Sequence, residues 1–382
     1  MNKGIYIHVP FCRGKCPYCD FYSLRADEAT MDAYVQAVGE HLRRFAAANR
    51  FSAGSVYFGG GTPSLLGAGR LCALLEQVDR CFPLAPGAEV TAEVNPSGWE
   101  EGFFSALRRG GFTRISAGMQ SADPGELRLL GRAHTPADMQ RTADAVHRAG
   151  FPHFSLDLMT ALPVPAAEDR RAHLRRSVET CAALGADHVS AYMLKVEEGT
   201  FYDTHRERYA FPNEDTACED YLLVAEELEA RGYAQYEISN FARSGGESRH
   251  NLLYWQDKEY LGIGPAAHSF LNGRRFYYPR DLQAFLAGTP PVDDGPGGSF
   301  GEFIMLGLRL STGITRPQAA RFPGGEALFD RLYAAAQALA AQQPPQAPLL
   351  RLGPASIALT RRGFLVSNAV IGALLEALPD NE

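Results

Sequence analysis

The sequence predicts an α/β protein: six β/α units forming an incomplete parallel barrel, then a mixed extension and a small helical domain at the C-terminal end. Two observations predict it. Short β-rich runs recur at residues 5–9, 55–58, 89–94, 114–119, 153–159 and 188–193. Longer stretches with helical period lie between them, among them 32–48, 71–81, 136–149 and 172–184. A repeated strand and crossover helix implies parallel strands with right-handed connections. Six units, where a complete barrel has eight, leave the barrel partial.

The loops after the strands carry the unusual residues. The first strand runs into Cys12-x3-Cys16-x2-Cys19, bent by Pro10, Gly14 and Pro17, and the second into Gly59-Gly60-Gly61-Thr62-Pro63. Asn95-Pro96 follows the third, Gln120-Ser121 the fourth, and residues 160–163 the fifth. All five lie at carboxyl ends, the rim where such folds build their sites. Two helix starts are expected: Ser97 with Glu100 as a capping box, and Thr135 as N-cap before Pro136. The barrel is assigned to residues 1–200 and the mixed extension, with Arg249-His250-Asn251-Leu252-Leu253-Tyr254-Trp255, to 201–287. A linker is expected at 288–299. Residues 300–382 are expected to form the small domain, with one hairpin in 349–360 and a last helix near 367–378.

Composition narrows the classes. With 382 residues, 46% hydrophobic and 21% charged, the chain has material for a large core. A net charge of -7 argues against a phosphate-backbone binder, so no nucleic-acid partner is expected. No run of about 18 apolar residues occurs and the start lacks a signal peptide, which predicts a cytoplasmic protein with no integral membrane segment. Seven cysteines without an export signal do not form a disulfide framework. Cys72, Cys81, Cys181 and Cys218 read as buried or incidental thiols.

Three soft thiols on one tight loop point to a metal centre. Zinc prefers four ligands, which His8 or Asp20 would have to complete. A 4Fe-4S cubane held by Cys12, Cys16 and Cys19 keeps one iron open and suits the residue count better. Arg13 and Lys15 between the thiols would favour thiolates.

This loop after a first strand resembles the signature of the radical S-adenosylmethionine (SAM) enzymes. Tyr6-Ile7-His8-Val9-Pro10-Phe11-Cys12, the stretch from Phe58 to Pro63, Glu93-Val94-Asn95-Pro96, Gly131-Arg132, Asp157-Leu158-Met159, Tyr236-Glu237-Ile238-Ser239-Asn240-Phe241 and the segment from His250 to Trp255 narrow it further. Together they resemble the anaerobic coproporphyrinogen III oxidase family, within it the heme chaperone HemW branch. The resemblance implies a radical SAM partial barrel and a HemN-like C-terminal domain. It also implies a 4Fe-4S cluster on Cys12, Cys16 and Cys19, and SAM on the open iron, cleaved to a 5'-deoxyadenosyl radical where the chemistry is used. Gly60, Gly61 and Thr62 match the loop that meets the methionine part, and Glu93 an acid that meets the amino group. Gln120, Arg132 and Asp157 match contacts to ribose and carboxylate, Ala191 a contact near adenine, and Tyr6 a tyrosine near the cluster.

The resemblance also separates two activities. Oxidases carry a further cysteine where this chain has Phe21, and an N-terminal extension where only five residues precede Tyr6. A chaperone that binds heme and passes it to an acceptor protein is therefore the expected function, with the oxygen-independent oxidase as the alternative. His250 is expected as an axial ligand or near-ligand, and Tyr254 and Trp255 as porphyrin-packing rings. Ser248 stands where many relatives have a cysteine, which puts thiolate attachment there in question. An electron donor is implied if SAM is cleaved.

Overall fold

A computed structural model describes residues 2–164 and 169–378. Strands β1 (Asn2–Val9), β2 (Ser52–Gly60), β3 (Leu84–Val94), β4 (Arg114–Gln120), β5 (His153–Thr160) and β6 (His188–Met193) lie side by side in chain order, every pair parallel. β4 is buried at every position, as a central strand covered on both faces must be. Helices α1 (Glu28–Ala48), α2 (Gly67–Cys81), α3 (Phe103–Arg109), α4 (Pro124–Leu129), α5 (Pro136–Arg148) and α6 (Arg170–Ala183) occupy the crossovers. The six predicted strands are all present.

Local chemistry sets the helix starts. Thr135 and Asp138 form a reciprocal capping box with Pro136 at the first helical position, as expected. The box expected at Ser97 and Glu100 does not form: α3 begins at Phe103 behind Gly102, whose φ is +81°. Gly98, at φ +86°, turns the chain immediately after Ser97. A Cβ there would meet the Arg13 guanidinium at 2.9 Å, so this stretch is a turn closing over the cysteine loop. The sequence reading passed over α4, which Asp123 caps by accepting from the Gly125 and Glu126 N–H groups at 2.7 and 3.1 Å.

The extension adds strands at both ends of the sheet. β7 (Ala234–Gln235) and β8 (Asn240–Ala242) attach to β6 through an antiparallel β8. On the other side β9 (Tyr260–Ile263) pairs parallel with β1, followed by antiparallel β10 (His268–Leu271), β11 (Arg274–Tyr277) and β12 (Val292–Pro296). β12 lies within the stretch expected as a linker. The result is one 12-stranded sheet ending at β12 and β7, curled but not closed. Helices α7 (Phe201–Thr204), α8 (Glu214–Ala230), α9 (Arg249–Trp255) and α10 (Leu282–Leu286) complete this part.

A second core gathers around Ile304, Leu332, Ile357 and Leu374. It joins α11 (Phe300–Gly307), α12 (Arg316–Ala319), α13 (Gly325–Ala341), α14 (Arg361–Leu365) and α15 (Ser367–Leu375) to a small sheet of β13 (Ile314–Thr315), β14 (Leu350–Gly353) and β15 (Ser356–Leu359). The expected hairpin is β14 and β15. Among the described residues no helix is long and apolar enough to cross a membrane.

Candidate functional site

At the carboxyl ends of the parallel strands a cleft of about 640 Å³ opens onto the cysteine loop. It gathers Cys12, Cys16 and Cys19 with Gly60, Gly61, Thr62, Glu93, Gln120, Arg132 and Asp157, so ten of the expected site residues share one space. The loop is held from several sides. Cys12 N–H donates to Leu24 O (2.9 Å) and Cys19 N–H to Cys16 O (3.1 Å), while Thr62 Oγ1 lies 3.3 Å from Cys12 Sγ. Gly61 and Thr62 dock onto the backbone of Val9 and Phe11 at 2.8 and 2.7 Å. A Cβ on Gly61 would sit 2.6 Å from Phe11 O, which explains glycine there. Arg132 spans the cleft, with Nη1 3.8 Å from Cys16 Sγ and Nη2 donating to Asn95 Oδ1 (2.8 Å) and Gly118 O (3.0 Å).

The two acids stand in the mouth of the barrel, walled by protein on all sides but the cleft. Glu93 accepts from the Tyr57 hydroxyl (2.8 Å) and Gly60 N–H (3.2 Å). Burial, with Asp157 nearby, pushes its carboxyl up to about 8. Burial likewise pushes Asp157 up to about 6, against hydrogen bonds from Ser190 and Ser116 and the Arg132 charge. Burial, with the adjacent Cys16 and Cys12, also raises the Cys19 thiol. Gln120 and Ala161, both at strand ends on this rim, hold positive φ of 65° and 57°. Such strain in non-glycine residues collects at functional sites.

The donor set favours a cluster over a single ion. His8 has no free nitrogen: Nε2–H donates to Tyr22 O (3.1 Å) and Nδ1 accepts from the Tyr6 hydroxyl (3.0 Å). Asp20 pairs with Arg280 at 3.2 Å. Among the described residues no three His, Cys, Asp or Glu gather as one ion would require. In a cubane each thiolate takes its own iron, so the thiols need not converge. Three loop thiols bordering an open cleft therefore fit a cluster with one unclaimed iron.

Other expected residues lie elsewhere. Tyr6 sits below the rim on β1, bonded to His8, and Ala191 is buried in β6 with its N–H on Ser239 O (2.8 Å). His250, Tyr254 and Trp255 are on α9, which packs against the amino ends of β1 and β2, at the end of the barrel away from the cysteines. A Cβ on Gly4 would meet Leu253 Cδ1 at 2.6 Å and His250 Cε1 at 3.3 Å. His250 is 1% exposed, and both ring nitrogens are bonded, Nδ1 to Ser55 Oγ and Nε2 to the Tyr254 hydroxyl, each at 2.8 Å. Burial lowers its pKa to about 3, so the ring is neutral. Ser248, in the position discussed for a cysteine, caps α9 by accepting from Asn251 N–H. Tyr57, Ser116 and Tyr192 were not singled out by the sequence, and Asn95 was placed on the rim without a role.

A profile of the Radical SAM superfamily matches residues 6–176. The heme chaperone HemW of Mycobacterium tuberculosis is 39% identical, the alignment covering 97% of this chain and 94% of that protein. The chain belongs to the HemW family. The Bacillus subtilis heme chaperone HemW is 31% identical, over 98% of this chain and all of that one. A solved coproporphyrinogen III oxidase (HemN) from Escherichia coli shares the fold, with a TM-score of 0.80 over 99% of this chain and 91% of that chain at 19% identity. The radical SAM partial barrel expected from the cysteine loop is thus the fold of this HemW-family chain.

Proposed function

We propose that this protein is a heme chaperone on a radical SAM scaffold, binding heme as cargo and passing it to an acceptor protein in the cytoplasm. The observation that carries the reading is the end-to-end similarity to proteins named heme chaperone HemW. Phe21, 65% exposed at the cleft where the oxidases carry a further cysteine, supports it.

In this reading Cys12, Cys16 and Cys19 hold the 4Fe-4S cluster, and SAM lies in the same cleft. When bound, the cluster supplies an electron that SAM cleavage would require. The chain itself does the positioning. Gly60 and Gly61 give a backbone surface without side chains, Glu93 offers a carboxylate to the SAM amino group, and Arg132 and Asp157 set opposite charges across the cleft. Tyr6 fixes His8 beneath the cluster loop, Gln120 lines the ribose side of the cleft, and Ala191 supports the adenine side from its buried place in β6. Heme contact falls to α9. Trp255, partly exposed, offers a ring for the porphyrin, and His250 reaches iron by exchanging its bond to Tyr254.

Heme titration of anaerobically reconstituted protein tests the function. A Soret shift that is lost in His250→Ala is expected, and no shift in the wild type overturns the reading. Decarboxylated product from coproporphyrinogen III and SAM, with reduced protein, would instead establish an oxidase.

A further inference from the structure

Tyr57 joins the two ends of the barrel. Its hydroxyl donates to Glu93 Oε1 at 2.8 Å, while Gly60 N–H holds the other carboxyl oxygen at 3.2 Å, so the acid is pinned at both atoms. On the side toward α9 the His250 imidazole stacks on the Tyr57 ring, with centroids 5.2 Å apart and planes at 27°. Tyr6 packs against the same ring at 6.2 Å. His250 is held at three points: Ser55 and Tyr254 bond its ring, and Glu89 accepts from its backbone N–H at 3.0 Å. Gly59 shows how little slack remains, since a Cβ there would lie 2.9 Å from Tyr57, 3.0 Å from Tyr6 and 3.1 Å from Glu93.

We propose that Tyr57 is a positioning residue that aims Glu93 at the SAM amino group, and that His250 in turn positions Tyr57. This rests on the reading of Glu93 as a SAM contact. It gives His250 a second task, independent of heme: the segment at one end of the barrel sets the acid at the other. The groups facing Glu93 are Tyr57 and the Gly60 N–H from β2, Tyr6 from β1, Asp157 from β5, Tyr192 from β6 and Tyr254 from α9. Asp157 opposes ionisation of Glu93, whereas the Tyr57 hydroxyl favours it, so deleting that hydroxyl moves the titration of Glu93 upward.

The test is SAM binding by equilibrium dialysis to heme-free, cluster-reconstituted protein across pH 6.5 to 9.5, roughly the window around the Glu93 titration. In the wild type, affinity rises as Glu93 ionises near pH 8. Tyr57→Phe weakens binding about tenfold at neutral pH, as loss of a hydrogen bond to a charged group does, and shifts the midpoint upward. His250→Ala does the same without heme present, and His250→Phe, which restores a ring but no ligand nitrogen, recovers much of the loss. Wild-type affinity and midpoint in Tyr57→Phe overturn the proposal, and so does weakening in His250→Ala with an unmoved midpoint. If His250→Ala does not fold, Tyr57→Phe decides alone, because it removes one hydroxyl. Glu93→Gln separates the two layers. Unchanged SAM affinity in that variant sinks the Glu93 reading itself, whereas weakening there without weakening in Tyr57→Phe sinks only the positioning.

Discussion

At the rim, polar groups turn toward open space; at the opposite end they turn toward one another. Glu93 and Asp157 border the cleft with carboxyls raised by burial, and in Glu93 by the neighbouring Asp157 charge as well. Fully buried Arg114, at the start of β4, is satisfied throughout: Nε donates to Glu89 (3.2 Å), Nη1 to Ser155 Oγ (3.0 Å), and Nη2 to the carbonyls of Gly246 and Glu247 (2.9 and 3.1 Å). Glu89 also accepts the first N–H groups of α9. A buried ion pair in which every guanidinium nitrogen has a partner ties α9 into the barrel. Buried acids with an open side mark the candidate site.

The contrast can be broken from either end. The largest effect is expected at the rim, where changing Cys12, Cys16 or Cys19 to Ala removes nearly all cluster iron and acid-labile sulfide after reconstitution, read by metal analysis and electron paramagnetic resonance. Next is Arg114→Ala, which strands Glu89 in the interior and lowers unfolding free energy by about 3–5 kcal/mol in urea titrations. Gly61→Ala follows at roughly 1–3 kcal/mol, because its Cβ meets backbone and no side chain can yield; cluster content falls with it as Thr62 shifts from Cys12. The smallest effect depends on pH. Glu93 has a raised pKa in the fold, so its contribution to stability is complete below the ordinary carboxyl range and is lost as pH rises toward about 8. SAM-free Glu93→Gln therefore matches wild type near pH 4 and exceeds it above pH 8 by roughly 1–2 kcal/mol, the open side discounting the full shift.

The barrel and the cleft were largely legible from sequence because their signals are local. Each central strand is a short apolar run, and each rim loop carries its Gly, Pro or Cys directly after the strand. The capping box at Ser97 misled because pattern alone does not show the turn at Gly98. β9 to β12 were folded into a vague extension: they are short, and β11 carries Arg274 and Arg275 among its four residues. The partners of Arg114 and Tyr57 were invisible for another reason. Arg114 meets Glu89 across 25 residues and Tyr57 meets Glu93 across 36, distances that only strand pairing closes. His250 was read from its motif as a heme ligand or near-ligand, and nothing local revealed that Ser55, 195 residues away, holds its ring.

The parallel pairing of β9 with β1 has a consequence for synthesis. The strand that carries the cysteine loop has neighbours on both sides, and the second, around Tyr260, is made about 250 residues after β1 itself. Until then β1 is a bare edge and its loop rests on half a frame. Iron loaded at that moment would meet thiols not yet fixed in place. The frame of the cysteine loop is thus complete only once the sheet's far half has been translated.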